Sequence, residues 1–239
     1  MNPLRTIAEL SDDEIEAIKR STLRWAFLAA ADFAEEAAEI FRDSPDEVKD
    51  IAEDITRDMF DRLPMGNLPQ RVLGTVDYKK AWYLLLPEHA VRQAFFADSK
   101  AERSETSMTI QMSQTSLRVI QHRAGEMIDE AGHLPVELEV GDYRFLTSNL
   151  FTHFRYREER GVRRLHTIRV CSLPNGRLQD RYNPSADRTI FIAGRNAPSL
   201  EELFRARVSF SRLKALANWR VQRIDLDPEG QAETIQWEE

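Results

Sequence analysis

One stretch determines how the rest of the chain is interpreted, Val91-Arg92-Gln93-Ala94-Phe95-Phe96-Ala97-Asp98-Ser99-Lys100. Its first part, Val91–Ala97, is apolar and aromatic, which predicts a buried strand. An aspartate and a lysine, two positions apart, follow where this strand ends. Because alternate residues of an extended chain point to the same side, we expect Asp98 and Lys100 to share one face of the sheet.

A second predicted strand, Val72–Leu86, precedes the first and is separated from it by the turn Pro87-Glu88-His89. The two strands are predicted to be adjacent and antiparallel. Asp77 falls in the middle of the earlier strand, so its carboxylate and that of Asp98 could converge on one ion. Magnesium prefers oxygen ligands, and the carbonyl of Ser99 could supply a third.

This arrangement suits the hydrolysis of a phosphodiester. A hard cation neutralises developing charge and lowers the pKa of its bound water, and the Lys100 ammonium could hold the attacking water and the scissile phosphate. The pattern is nevertheless short. On spacing alone, a surface salt bridge at a strand end is the more frequent explanation for an Asp-any-Lys triplet.

The first 62 residues are predicted to be helical. Ser11-Asp12-Asp13-Glu14 has the order of a capping box, and Ser44-Pro45-Asp46-Glu47 resembles a second helix start. The later chain is richer in strand patterns, although 107–120 is ambiguous between strand and helix. Strands are predicted at Tyr143–Tyr156, Leu165–Leu173, Arg205–Phe210 and Trp219–Leu226, with a short helix at Ser211–Ala217.

Helices followed by strands indicate an α/β or α+β fold, with a mixed β-sheet flanked by helices. We find no linker long enough to divide the chain, so 1–239 is expected to be one domain. Its helical region, 1–62, is a candidate for subunit contacts, and the strand-rich 63–239 would hold Asp77, Asp98 and Lys100.

Charge is strongly segregated along the chain. The net charge is -7 overall, but residues 1–62 carry -9 and residues 143–224 carry +11. Sixteen of the 17 cations in that basic block are arginines, whose planar heads suit phosphates and base edges. Two interpretations stay open here: a DNA-binding surface, or arginines that pair with the acidic helices.

Composition narrows the class of protein. With 42% hydrophobic residues among 239, the chain has enough apolar material for a sizeable core. Its single cysteine, Cys171, favours a reducing compartment, and no apolar run approaches the roughly 20 residues that span a bilayer. We therefore expect a cytoplasmic protein. The five histidines have no ligand spacing, which argues against zinc.

The wider sequence resembles the SfiI–BglI group of type II restriction endonucleases, which have the PD-(D/E)XK nuclease fold, and resembles the SfiI branch more completely. The likeness is carried by several ordered segments rather than by one triplet. They are Ala52–Thr56, Val76-Asp77-Tyr78-Lys79, Asp98-Ser99-Lys100-Ala101, Gln111–Gln114, Phe151–Glu158, Ser172–Pro174, Arg181-Tyr182-Asn183-Pro184, Ala193-Gly194, Arg205-Ala206-Arg207-Val208, Leu213-Lys214 and Trp219-Arg220. The residue before Asp77 is Val76, so the proline of the motif's name is absent.

The resemblance implies roles for individual residues. Asp77 and Asp98 would be metal-binding carboxylates, with the Ser99 carbonyl beside them, and Lys100 the catalytic lysine. Arg205 and Arg207 would read G·C pairs, with Arg195 and Asn196 in a second base-reading loop. These seven side chains and the Ser99 carbonyl make up the expected site, which makes 63–239 the expected catalytic and DNA-reading core.

The implied function is Mg²⁺-dependent cleavage of both DNA strands at a GC-rich interrupted palindrome with GGCC-like half-sites. The ends would carry 5'-phosphate and 3'-hydroxyl groups. A palindrome requires at least a homodimer, and the group also contains homotetramers. A cognate DNA methyltransferase would be the functional partner in the cell. Two alternatives stay open: a non-catalytic DNA-binding or regulatory module, and a nuclease of this fold that acts in DNA repair or recombination.

Overall fold

The computed structural model describes residues 5–62, 72–73, 80–86, 89–103, 109–111, 119–123, 126–130, 136–185, 187–193 and 206–239. For 72–73, 80–86, 109–111, 119–123, 126–130, 140, 192–193 and 206 the description covers the backbone alone. Asp77, Arg195, Asn196 and Arg205 lie outside the described residues.

Three long helices open the chain after a 3-10 turn at Ile7–Glu9. They are α1 (Asp12–Asp32), α2 (Ala34–Asp43) and α3 (Val48–Asp61). The predicted capping box is confirmed at α1, where the Glu14 amide donates to Ser11 Oγ over 3.2 Å and the Ser11 amide donates to Glu14 Oε2 over 2.8 Å. These reciprocal bonds satisfy two amides that the first helical turn would leave unpaired.

The second predicted helix start is wrong by several residues. Ser44 terminates α2, where its amide donates to the Ile40 carbonyl over 3.0 Å. Its hydroxyl accepts from the Asp46 amide over 3.2 Å, which is a local loop contact rather than a helix cap. Helix α3 begins only at Val48, and Glu47 at its N-cap makes no side-chain capping bond.

One large sheet forms the centre of the molecule. Its strands, in order along the sheet, are β1 (Val72–Leu73), β2 (Lys80–Leu86), β3 (Val91–Arg103), β8 (Tyr143–Glu159), β9 (Val162–Leu173), β12 (Val221–Leu226) and β13 (Ala232–Ile235), with β7 (Glu137–Val140) paired to β8. Strands β3 and β8 are parallel, whereas the other pairs in this sheet that the structure describes are antiparallel. The predicted mixed α+β architecture is confirmed.

The predicted strand Val72–Leu86 is two strands in the structure. Val72 pairs with Ala81 and Leu73 with Lys80 in antiparallel register, so the chain reverses direction between these pairs. The predicted antiparallel pairing of its later half with the strand that begins at Val91 is confirmed.

Two smaller sheets and two short helices complete the described fold. They are the three-stranded sheet of β10 (Phe191–Ala193), β11 (Ala206–Ser209) and β4 (Thr109–Gln111), the hairpin of β5 (Val119–Arg123) and β6 (Glu126–Glu130), and the helices α4 (Gln179–Tyr182) and α5 (Phe210–Leu216). The ambiguous stretch 107–120 therefore contributes strand where it is described, and the predicted strand and short helix after residue 205 are confirmed over 206–216.

The two faces of the large sheet are covered differently. The N-terminal helices pack on one face through an apolar cluster that includes Phe27, Phe41 and Ile55 with Phe95 and Phe154. A second cluster covers part of the opposite face. It contains Phe151, Cys171, Leu173, Tyr182, Phe191, Val208, Phe210, Leu213 and Val221. The helices thus leave the other face of β3 available for polar side chains.

Among the described helices, none is both long enough and apolar enough to cross a membrane.

Candidate active site

Strand β3 carries core residues on one face and charged residues on the other. Phe95, Ala97 and Ala101 pack against the cluster formed by the N-terminal helices. Since successive side chains of a strand alternate, Asp98 and Lys100 project from the opposite face. The prediction that these two residues share a face is thereby confirmed for the described strand.

Asp98 and Lys100 are both partly exposed. The amide of Ser99 donates to Asp98 Oδ1 over 2.9 Å, which fixes the carboxylate close to its own backbone. The Lys100 side chain is 34% exposed, and its Nζ lies 3.6 Å from Glu102 Oε1. A carboxylate and an ammonium that both reach solvent can meet a phosphodiester without moving the backbone.

The parallel neighbour β8 extends this polar face. In the strand register Asp98 is opposite Phe151, and Lys100 is opposite His153. Directly opposed residues in a sheet project from the same face. His153 Nε2 lies 3.5 Å from Glu102 Oε2, so Glu102 lies between the lysine and the histidine.

The polar row continues onto β9 and β12. His153 is opposite Arg169, and Arg169 is opposite Arg223. An Nη of Arg169 donates to His153 Nδ1 over 3.4 Å, and burial lowers the pKa of His153 even though Glu102 acts to raise it. Neutral His153 therefore accepts at Nδ1 and carries its proton on Nε2, facing Glu102.

Sequence reasoning missed Glu102, His153 and Arg169 as members of this site. His153 had the features of a hydrogen-bonded structural histidine, and its burial agrees with that. The available signal was the alternation of charged or polar residues with an apolar one at 100–102 (Lys-Ala-Glu) and 153–155 (His-Phe-Arg), which places polar groups on one face. The parallel pairing of β3 with β8, which brings the two sets together, has no local signature.

The structure describes Asp98 and Ser99 but not the third expected metal ligand. Asp77 lies outside the described residues, and within the described ranges no group of three or more His, Cys, Asp or Glu residues could hold a metal ion. Glu53 and Asp54 do not extend the site. They lie on α3, which packs on the other face of β3, and they pair with Lys49 at 3.6 Å and Arg57 at 2.8 Å.

Of the four residues expected to read bases, the structure describes Arg207. It lies in β11, opposite Ile192 of β10 and Gln111 of β4. Its neighbour Val208 is fully buried against the large sheet, so alternation directs Arg207 away from that core. The partner position Arg205 and the loop residues Arg195 and Asn196 lie outside the described residues.

The interpretation of the basic block as arginines that pair with the acidic helices holds for some of them but not for all. Arg177 pairs with Asp12 at 2.7 Å and Arg181 with Asp13 at 2.8 Å, so these two neutralise acids of α1. Arg169, by contrast, has its pKa lowered to about 10, first by burial and then by the nearby Arg223 and Arg155. Arg155, Arg169 and Arg223 therefore place several positive charges on the sheet face that also carries Lys100.

Cys171 is fully buried beneath this face, and burial raises its pKa far above the ordinary value. A thiol that stays protonated is a poor nucleophile. Cys171 is therefore a core residue rather than a reactive one.

Comparison with known proteins identifies the family. The family model for the type II restriction enzyme SfiI matches residues 23–224. The SfiI enzyme of Streptomyces fimbriatus is 34% identical to this chain, over 96% of this chain and 91% of its own length.

Two solved structures share the fold. The crystal structure of tetrameric SfiI bound to cognate DNA matches with a TM-score of 0.79 and 34% identity, over 97% of this chain and 91% of that one. BglI bound to its DNA recognition sequence matches with a TM-score of 0.70 and 16% identity, over 89% and 91% of the two chains, which supports the fold alone. By sequence and by structure, this chain belongs to the SfiI family of type II restriction enzymes.

Proposed function

We propose that this protein is a Mg²⁺-dependent, site-specific endonuclease that hydrolyses both strands of DNA at a GC-rich interrupted palindrome. The half-sites are GGCC-like, and the products carry 5'-phosphate and 3'-hydroxyl ends. One observation supports the proposal above all: Asp98 and Lys100 project side by side from the open face of β3, in a chain 34% identical to a restriction enzyme over almost its full length.

The residues that would hold the metal are the carboxylates of Asp77 and Asp98 and the carbonyl of Ser99. Type II restriction endonucleases generally need a divalent metal ion. The partly exposed carboxylate of Asp98 fits a hard cation, because Mg²⁺ prefers oxygen ligands. When bound, such an ion neutralises charge on the phosphate and lowers the pKa of a coordinated water.

Lys100 acts as the catalytic lysine in this proposal. Its ammonium is attached two residues beyond Asp98 on the same face, so it can contact the same phosphate group. A fixed cation at that position stabilises the negative charge that develops on the phosphate oxygens as the bond breaks. The partly exposed Nζ is consistent with this role.

Arg205 and Arg207 would read the G·C pairs, and Arg195 with Asn196 would form a second reading loop. A guanidinium can bond both O6 and N7 of guanine, which discriminates among base pairs. Arg207 alternates along β11 with the buried Val208 and so projects away from that core, which supports its part of this assignment.

We propose that the enzyme acts as a homo-oligomer, dimer or tetramer, because a palindrome presents two equivalent half-sites. The tetrameric state of SfiI supports the larger assembly. The helices of 1–62 are candidates for the contacts between subunits, and α1 exposes Trp25 and Leu28, 43% and 51% accessible. Replacing Trp25 with aspartate should then lower the particle mass in light scattering, whereas an unchanged mass excludes this surface.

The chain is proposed to form one domain and to act in the cytoplasm. The apolar cluster that joins the three N-terminal helices to the large sheet supports a single domain over 1–239. In the cell the enzyme would act in the cytoplasm, with a cognate DNA methyltransferase that protects host sites.

Sequencing the ends of digested plasmid DNA tests the function directly. We expect every fragment end to lie at one fixed distance from the same half-site sequence, with cleavage only in MgCl₂ and none in the presence of a chelator. Ligation without prior kinase treatment would establish 5'-phosphate ends. Random ends would contradict the restriction function and favour a structure-directed nuclease, while specific binding without cleavage would indicate a regulatory module.

A further inference from the structure

Glu102 is a carboxylate in an unusual position on the polar face. Its side chain is only 13% exposed, although it carries a charge, and it lies between Lys100 and His153. Burying a carboxylate is unfavourable unless cations or hydrogen-bond donors compensate it. Its position is therefore maintained by the groups around it.

Those groups form a chain across three strands. Arg169 on β9 donates to His153 Nδ1 over 3.4 Å, His153 Nε2 on β8 lies 3.5 Å from one oxygen of Glu102, and the other oxygen lies 3.6 Å from Lys100 Nζ on β3. The order of charges is cation, neutral donor, anion and cation, so each neighbouring pair attracts.

His153 is the rigid member of this chain. Its side chain is 1% exposed, and its ring lies 5.4 Å from that of Phe210, between centroids. Within the described part of the chain its Nε2 makes no hydrogen bond of good geometry, although it faces Glu102. A buried N–H in this state gains free energy when an acceptor approaches it.

We infer that Glu102, which His153 Nε2 faces at 3.5 Å, is a positioning residue that orients the ammonium of Lys100 towards the scissile phosphate. The inference rests on the proposed function, because it assigns Glu102 a role through the catalytic lysine. Glu102 itself does not touch the substrate. Lysine has four rotatable side-chain bonds, so an anchored carboxylate on the same face restricts where its charge can lie.

The test replaces Glu102 with glutamine, which keeps the size of the side chain and removes its charge. Single-turnover cleavage of cognate DNA should fall by about 10- to 100-fold, the range expected for a misplaced catalytic group. Binding of the same DNA in Ca²⁺ and the midpoint of thermal unfolding should stay unchanged. Parallel losses in rate, binding and stability would indicate a merely structural role and overturn the inference.

A second pair of variants tests the link to His153. His153→Gln keeps a side-chain N–H donor and should retain most activity, whereas His153→Leu should lose about as much as Glu102→Gln. The double variant Glu102→Gln/His153→Leu should be no slower than the slower single variant. Losses that multiply would show that the two residues act independently and would overturn the inference.

Two controls separate this inference from its premises. Glu158→Gln removes a carboxylate on β8 that pairs with Arg103 on β3 at 2.5 Å, and this variant should cleave at the wild-type rate.

If Lys100→Ala is inactive while Glu102→Gln is fully active, the positioning role fails and the proposed function stands. If the wild type does not cleave, the proposed function fails. A raised Mg²⁺ requirement in Glu102→Gln would make Glu102 a metal ligand and overturn the inference.

Discussion

Arg220 and Glu16 form an ion pair of 2.5 Å between groups 204 positions apart in the chain. The guanidinium is fully buried, with its central carbon 4.6 Å from the ring centre of Tyr182 and 4.5 Å from that of Trp219. The Tyr182 hydroxyl accepts from Arg220 Nε over 2.7 Å and donates to Glu16 over 3.0 Å. Because Arg220 Nη1 also donates to the Ser172 carbonyl over 2.9 Å, the network fastens α1 to β9.

Removing the carboxylate of this pair should be strongly destabilising. Glu16→Ala leaves a buried guanidinium without its counter-ion, which costs about 3–5 kcal/mol. The matched control is Glu36→Ala, whose carboxylate pairs at 2.7 Å with the exposed Arg62 and should cost about 1 kcal/mol or less. Urea unfolding measures both variants, and equal costs would mean that burial does not govern this pair.

Lys19 gives the protein a specific dependence of stability on pH. It is fully buried, donates to the Thr147 carbonyl over 2.7 Å and also bonds Asn175 Oδ1. Burial lowers its pKa to about 7, from an ordinary value of 10.5. Between these two values the unfolded chain binds a proton that the native protein does not, so this group makes stability rise with pH.

The comparison with Lys19→Met isolates this effect. The free energy of unfolding of the wild type, minus that of the variant, should increase from pH 7 to pH 10. Lys49→Met is the control, because the Lys49 side chain is 77% exposed; its difference from the wild type should stay flat. A flat difference for Lys19→Met as well would show that Lys19 keeps its ordinary pKa.

The candidate active site predicts a separation of binding from cleavage. Asp98→Ala and Lys100→Ala should each reduce the cleavage rate by about 10³-fold or more, because they remove groups that stabilise charge during the reaction. Specific binding in Ca²⁺ should remain measurable by gel shift. Lys214→Ala, which removes a lysine paired with Glu238 at 2.6 Å, should cleave normally. Cleavage at the wild-type rate by both site variants would exclude this site.

Arg205 and Arg207 should affect specificity more than general affinity. Arg205→Ala and Arg207→Ala should each weaken binding to cognate DNA by roughly 1–3 kcal/mol, with a much smaller loss on non-cognate DNA. A phosphate contact would weaken both complexes alike and reduce the salt slope by about one unit. Arg57→Ala on α3, on the other face of the sheet, should change neither complex. Equal losses on the two DNAs would make Arg205 and Arg207 phosphate contacts.

Two glycines with the same backbone angle allow strain and crowding to be separated. Gly176 and Gly141 both have φ +57°, where any other residue is disfavoured, but a Cβ on Gly176 would lie 2.5 Å from Val136 Cβ, and a Cβ on Gly141 would meet nothing within 4 Å. Gly141→Ala should therefore cost about 1 kcal/mol for the angle alone. Gly176→Ala should cost about 1–3 kcal/mol more. Thermal or urea unfolding measures the difference. Equal losses of unfolding free energy in the two variants would mean that Val136 moves to accommodate the added methyl group.

Local sequence patterns predicted those elements whose signals are local. The capping box at Ser11 and the strand that begins at Val91 depend on residues within one turn or one strand, and both are confirmed. Ser44-Pro45-Asp46-Glu47 has the same kind of pattern, yet it forms a loop. The hydroxyl of Ser44 there bonds the Asp46 amide, because a serine can satisfy a turn as well as a helix start.

The candidate site was predictable only along a single strand. The spacing of Asp98 and Lys100 determines that they share a face, whatever strand lies beside them. Their relation to His153 depends on the pairing of β3 with β8, between residues about fifty positions apart, and on the parallel direction of that pairing. Phe95 of β3 and Phe154 of β8 meet in the same buried cluster, a long-range contact that no local pattern encodes.

The two-sided character of β3 restricts how this enzyme can vary in length. Inserting or deleting a single residue between Val91 and Phe95 would exchange the two faces for the rest of the strand, turning the carboxylate and the ammonium into the apolar layer and Phe95 out of it. The gain or loss of one codon would therefore abolish folding and catalysis together. Viable length changes should therefore be confined to the connections, leaving this strand open to substitution alone.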